Sequence, residues 1–348
     1  MSYERAVLPR SSGSNPKRRV PQAWPADRDF RILSIDGGGI RGVFPAAILA
    51  GLEETLTGGK PISDYFDLIV GTSTGGILAL GLSAGFDARQ LRDIYMQRGR
   101  HIFPPTWDNV LGRAHRWLRN TIWNVGTYRY ERDELERVLD DVVGTKLFGE
   151  ARNRLVIPAF EGRFSEIAAF KTRHHTDYAM DWRMPMKDVA LATSAAPTIF
   201  RAHDRDGFTY VDGGVWANNP VMLGIIEAMT CFDVPRERIK VLTLGCGDDP
   251  YVVTKGMMGG GHWKWRQVIF AAMRLQSLAA TNQARLMLGP ENVIRIDAPT
   301  TKPKIDLDDW RRSINELLPA VGGVISAHGG AIGAMFLTQP AVPFQPLP

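Results

Sequence analysis

Cysteine is scarce: only Cys231 and Cys246 occur in 348 residues. Two are too few for a disulfide framework, and they lack metal-ligand spacing, so a reducing compartment and no metal are expected. No apolar N-terminal stretch reads as a signal peptide, because Glu4, Arg5 and Arg10 interrupt the first ten residues. No run reaches the roughly 18 apolar residues that would span a bilayer. The expected location is cytoplasmic, with any membrane contact peripheral to the inner face. Strong charge is also missing. Net charge is +5, and most of it lies in the first 31 residues, where seven Lys or Arg face only Glu4, Asp27 and Asp29. The near-neutral remainder excludes a groove for a nucleic-acid polymer, which needs a basic stripe.

Hydrophobic content of 44% and charged content of 23% are those of a globular chain with a sizeable core. Residues 1–28, rich in Ser, Pro and Arg, read as a flexible basic leader. With no repeat and no linker, residues 29–348 read as one domain, the stretch from about 246 being its least defined part. Phe30–Ile35 is a buried strand entering the turn Asp36-Gly37-Gly38-Gly39, followed by a helix from about Phe44 to Thr57. Tyr65–Val70 is a second strand, Ser73 lies on the turn after it, and a helix runs on towards Gly85. Later apolar runs at 155–160, 208–211 and 241–244 alternate with helical patterns at 131–143 and 220–231. Such alternation predicts a largely parallel sheet between helices.

Gly71-Thr72-Ser73-Thr74-Gly75 has the G-x-S-x-G pattern in which a strained strand-to-helix turn lifts a serine hydroxyl out of a sheet. Gly71 and Gly75 keep that turn free of side chains. The serine needs a base. His101, His115, His174, His175, His203, His262 and His328 are available, and only His262 and His328 lie late enough for an ordinary triad. Neither follows a strand. Asp212 does: Phe208–Val211 delivers it into Gly213-Gly214, where it either takes the Ser73 proton or merely opens a turn. Gly37, Gly38, Gly39 and Gly42 admit two readings. They match the dinucleotide-binding fingerprint of an oxidoreductase, but the next strand ends in Ser73 instead of a ribose-binding acid. Alternatively their N–H groups form an oxyanion hole, with Arg41 adding charge or pairing at the surface.

Taken together, Asp36-Gly-Gly-Gly-Ile-Arg-Gly42, Gly71-Thr-Ser-Thr-Gly75, Ser194-Ala-Ala-Pro197 and Asp212-Gly-Gly214 resemble the patatin-like phospholipase family in order and spacing. The resemblance implies an α/β fold of three α/β/α layers and hydrolysis of membrane glycerophospholipid esters. It implies a Ser73–Asp212 dyad, an acyl-enzyme, an oxyanion loop of Gly37, Gly38, Gly39 and Arg41, and neither metal nor organic cofactor. The stretch from Phe170 through His174, His175 and Asp181 to Ser194 is similar to bacterial members that cyclic nucleotides activate in antiviral defence. A cyclic dinucleotide activator, and a structural or regulatory part for the two histidines, are what that likeness implies. A catalytically silent lipid-binding scaffold is the non-enzymatic alternative.

Beyond the motifs, Gly256–Gly261 with Trp263 and Trp265 reads as a lid or membrane-touching edge. From Val268 to Leu288 apolar residues recur at helical spacing, as in a core helix or a homo-oligomer contact.

Overall fold

The computed structural model describes residues 18–104, 128–247 and 268–347. The strands are β1 (Gln22–Ala23), β2 (Phe30–Ile35), β3 (Leu68–Gly71), β4 (Arg154–Glu161), β5 (Glu166–Lys171), β6 (His203–Arg205), β7 (Phe208–Asp212), β8 (Phe232–Asp233), β9 (Ile239–Leu244) and β10 (Val293–Ile296). Eight of them form one sheet in the order β10-β9-β2-β3-β4-β7-β6, with β5 also on β4. From β10 to β4 every pairing is parallel; β5, β6 and β7 add antiparallel pairs.

Helices α1 (Val43–Leu56), α2 (Thr74–Ala84), α3 (Ala88–Ile102), α4 (Asp133–Val143), α5 (Met186–Thr193), α6 (Gly214–Ala217), α7 (Val221–Cys231), α8 (Val268–Leu288) and α9 (Val321–Phe336) complete the architecture. All six residues of β2 are buried, as expected of a parallel strand covered on both faces. Its alternate side chains enter different cores. Leu33 and Ile35 join Ile69 against residues of α1, α2 and α5, whereas Phe30 and Ile32 join Leu68 and Val70 against Val221 and Ile225 of α7 and Ala284 of α8. Two cores on one sheet make three α/β/α layers.

One register decides where the site lies. Val156 pairs with both Val70 of β3 and Lys171 of β5, and Ala159 pairs with both Asp212 of β7 and Ala168 of β5. A strand has two edges, so β3 and β7 share the edge opposite β5. They run along it in opposite directions, and their C-terminal ends converge across Ile157 and Pro158. Pro158 suits that gap because it has no N–H to leave unpaired.

Three sequence expectations change. The strand expected at Tyr65–Val70 begins later, because Pro61 opens a 3-10 turn over Ile62–Tyr65. Of the leader, residues 18–28 are held against the fold: β1 pairs with β8, and Trp24 packs its ring 4.7 Å from Phe30. Finally, the helical stretch Trp310–Phe336 is long and apolar enough, by length and composition, to cross a membrane. Gly, Ala and Ser dilute its large apolar residues, so no continuous run shows in the sequence. Residues 256–261, Trp263, Trp265, His115 and His262 lie outside the described residues.

Candidate active site

Ser73 lies two residues past the end of β3 and caps α2. Its backbone stands at φ 55 and ψ −122, a conformation costing a non-glycine residue about 1–3 kcal/mol. The turn is tight. A Cβ on Gly71 would lie 2.2 Å from the Gly75 carbonyl oxygen, and one on Gly75 would lie 2.2 Å from that of Ile35. Serine at a helix N-cap usually accepts an N–H of the first turn, yet Ser73 makes no such bond. Its hydroxyl instead faces the Asp212 carboxyl closely enough to pull that group's pKa down.

Asp212 is 5% exposed and ends β7. Its N–H donates to the Ala195 carbonyl at 3.0 Å, and its Oδ1 accepts from the Gly214 N–H at 2.7 Å. Gly213 is required by close approach, because a Cβ there would meet the Pro158 carbonyl oxygen at 2.3 Å. Burial pushes the Asp212 carboxyl up to about 6, against the Ser73 hydroxyl and the Gly214 N–H, which pull it down. A base in that range is ionised at neutral pH yet still holds a proton well.

Thr193, at the end of α5, fastens the two halves. Its hydroxyl accepts the Ser73 N–H at 3.0 Å and donates to the Pro158 carbonyl at 2.6 Å, while its own carbonyl accepts the Gly213 N–H at 3.3 Å. The Ser73 N–H is therefore committed.

The glycine loop lies over the serine: a Cβ on Gly37 would be 3.3 Å from Ser73 Cβ. Gly37 cannot donate to an oxyanion, since its N–H is held by the Asn218 carbonyl at 3.0 Å. The N–H groups of Gly38 and Gly39, and that of Thr74 in the first turn of α2, have no acceptor among the described residues. Arg41 is buried and is no surface ion pair. Its Nε donates to the Gly38 carbonyl at 3.4 Å and its Nη1 to that of Gly247 at 2.6 Å. In a trans peptide C=O and N–H point oppositely, so holding the Gly38 oxygen turns the Gly39 N–H away from Arg41. The guanidinium braces the loop.

Neither Ser73 nor Asp212 has a histidine partner among the described residues. His174 and His175 are not on a solvated loop. His174 is buried between Thr172 at 2.9 Å and Glu227 at 3.0 Å, and His175 binds the Val20 carbonyl at 3.1 Å. His174, Glu227 and Cys231 gather closely enough to suggest a metal, but Lys171 Nζ already sits 2.6 Å from Glu227 and supplies the positive charge there.

The patatin-like phospholipase family model matches residues 33–225. The chain belongs to the patatin-like phospholipase family. It is 36% identical over 245 residues to a cGAMP-activated phospholipase of Escherichia coli, covering 67% of this chain and 66% of that one. A cGAMP-activated phospholipase of Vibrio cholerae is 36% identical over 66% of this chain and 68% of the relative. One of Pseudomonas aeruginosa is 34% identical over 78% and 79% respectively. The chain thus spans about two thirds of the first two relatives' length. Membership in this family sets aside the dinucleotide-binding reading of Gly37, Gly39 and Gly42.

A brace on this patatin-like site comes from beyond the matched stretch. Asp36, at the head of the glycine loop, is 1% exposed and accepts Arg295 Nη1 at 3.0 Å and Nη2 at 2.7 Å, with Ser277 Oγ at 3.1 Å. Burial alone would lower the Arg295 pKa, but Asp36 and Asp297 together hold it above its usual value. The Ile40 N–H also donates to the Leu307 carbonyl at 2.9 Å. Arg295→Ala strands a buried carboxylate, and loss of one partner from such a pair costs about 3–5 kcal/mol. The expected outcome is a clear fall in thermal midpoint by calorimetry, with Arg295→Lys falling less.

Sequence reasoning missed Thr193, Asn218, Thr74 and Arg295. Thr74 carried a signal, because the residue after a nucleophile elbow is a known donor position. The others act through long-range contacts that no local pattern announces.

Proposed function

We propose that the chain is a lipid acyl hydrolase of phospholipase A type, cleaving glycerophospholipid esters through Ser73 and Asp212. The observation that carries this reading is the Ser73 hydroxyl beside a buried Asp212 carboxyl, each at the end of a strand on the same edge of β4, with that carboxyl pushed up to about 6 by burial. Asp212 takes the Ser73 proton as Oγ bonds to the ester carbonyl carbon. The resulting oxyanion faces the Gly38, Gly39 and Thr74 N–H groups at the positive end of α2. Asp212 then gives its proton to the departing lysophospholipid oxygen as the carbon–oxygen bond breaks, leaving an acyl-enzyme on Ser73. Asp212 next deprotonates a water that attacks this acyl group, and fatty acid leaves as Ser73 regains its proton. No step calls on a metal or organic cofactor.

The names of the relatives support cGAMP, or a related cyclic dinucleotide, as activator, in the antiviral setting that the sequence resemblance implies. The substrate is reached by peripheral contact from the cytoplasm, with α8 available for a homo-oligomer contact. The test is fatty-acid release from phospholipid vesicles with and without cGAMP. Measurable turnover excludes the silent-scaffold alternative; absence of release in both conditions would falsify the hydrolase reading.

A further inference from the structure

A second cleft, of about 380 Å³, opens between α4, α5 and the start of β6. Arg132, Lys187 and Arg201 line it, with His203 and the carboxylates of Glu136, Asp188 and Asp204. Its charges divide into two groups. Asp188 is committed to His203 Nε2 at 3.0 Å and to Arg205 at 2.9 Å, Lys187 to Asp140 at 2.8 Å and Glu136 at 4.0 Å, and Asp204 to the Thr209 hydroxyl at 2.6 Å. The two arginines are not neutralised in this way. Arg132 is 4% exposed and bonds only to the Arg201 carbonyl and, at 3.3 Å, to His203 Nδ1. The Arg201 guanidinium has no hydrogen bond or ion pair among the described residues. Burial, with the Arg201 charge added, holds the Arg132 guanidinium below its usual value, although Glu136 and Asp204 pull it back up. A buried guanidinium beside a second one, neither of them in an ion pair among the described residues, is relieved by a bound anion, and phosphate oxygens match the guanidinium fork.

The cleft is wired to the dyad. Arg201 and His203 end the segment that begins at Thr193, and this segment holds the Asp212 N–H through Ala195 and the Gly213 N–H through Thr193. His203 also pairs with Tyr210, two residues before Asp212. Within the segment Thr198 stands at φ 69, a strained position for a β-branched residue. A ligand drawing Arg201 towards α4 would pull on this strained link and on β7.

We propose that the cleft binds the phosphodiester of a cyclic dinucleotide and, through residues 193–203, adjusts Asp212 against Ser73. This rests on the activator reading above. The experiment titrates the full chain with cGAMP by calorimetry and measures fatty-acid release with and without it, for wild type, Arg201→Glu, Arg201→Gln and the exposed control Arg236→Glu. Loss of a charge-assisted contact predicts cGAMP binding weakened about ten- to hundredfold in both Arg201 variants. Their stimulation by cGAMP is lost, and Arg236→Glu behaves as wild type. Wild-type affinity in both Arg201 variants overturns the placement and leaves the activator reading standing. A wild-type chain that does not bind cGAMP overturns both. Retained cGAMP binding with lost binding to phosphatidylglycerol vesicles makes a lipid headgroup the occupant and also overturns the proposal.

Discussion

Ser73→Ala should lower phospholipid hydrolysis by about ten-thousandfold, the scale expected when a nucleophile that acts with its base as a unit is removed. Its fold should survive, because the hydroxyl contributes no helix cap. Ser73→Gly separates chemistry from conformation. It too should lose hydrolysis, but glycine accepts φ 55 without the penalty that a side chain incurs there. The thermal midpoint of Ser73→Gly should therefore exceed that of Ser73→Ala. Equal midpoints would mean that the elbow stores no strain, and turnover close to wild type in either variant, with fatty acid still released, would remove Ser73 from the reaction.

The second large effect belongs to Asp212→Asn. A dyad with no histidine leaves no other group to accept the Ser73 proton, so loss should approach that of Ser73→Ala; a histidine-based triad predicts a modest effect. The wild-type pH profile carries the same information. With the Asp212 carboxyl at about 6, kcat/KM should be half-maximal near that pH and fall about tenfold for each unit below it, since only the ionised form is a base. Stability moves the other way. Asp212 binds its proton more tightly folded than unfolded, where its value is 3.8. Between pH 4 and 6 the unfolded chain has released that proton while the folded one retains it, so stability falls as pH rises through this window. Above it, the ionised folded state carries a cost of about 3 kcal/mol. Asp212→Asn removes that titration, and its unfolding free energy should no longer decline between pH 4 and 6 relative to wild type. An unchanged decline in denaturant titrations would show that Asp212 is not the group responsible.

Both variants place the site where function and stability conflict. A serine at positive φ and a desolvated carboxylate each destabilise the fold, and what holds them is spread widely. Thr193 clamps the Ser73 N–H, Asn218 occupies the Gly37 N–H, and Arg295 neutralises Asp36. Only the first two of these lie within the stretch that the family model matches.

Much was legible in the sequence because local chemistry demands it. A parallel strand covered on both faces must read as an unbroken apolar run, so β2, β9 and a largely parallel sheet between helices could be read directly, while the three-layer class came with the family resemblance. A strained elbow needs small neighbours, so Gly71 and Gly75 marked Ser73, and a strand ending in Asp-Gly-Gly marked Asp212. What local pattern could not reveal was that β3 and β7 share one edge of β4, because edge choice depends on contacts far apart in the chain. That sharing brings Ser73 and Asp212 face to face. The tertiary structure likewise decided that the Gly37 N–H is spent, that Arg41 braces the loop, and that β10 supplies Arg295 to Asp36. A hydrogen bond has one donor, and which acceptor takes it depends on what folding brings within about 3 Å.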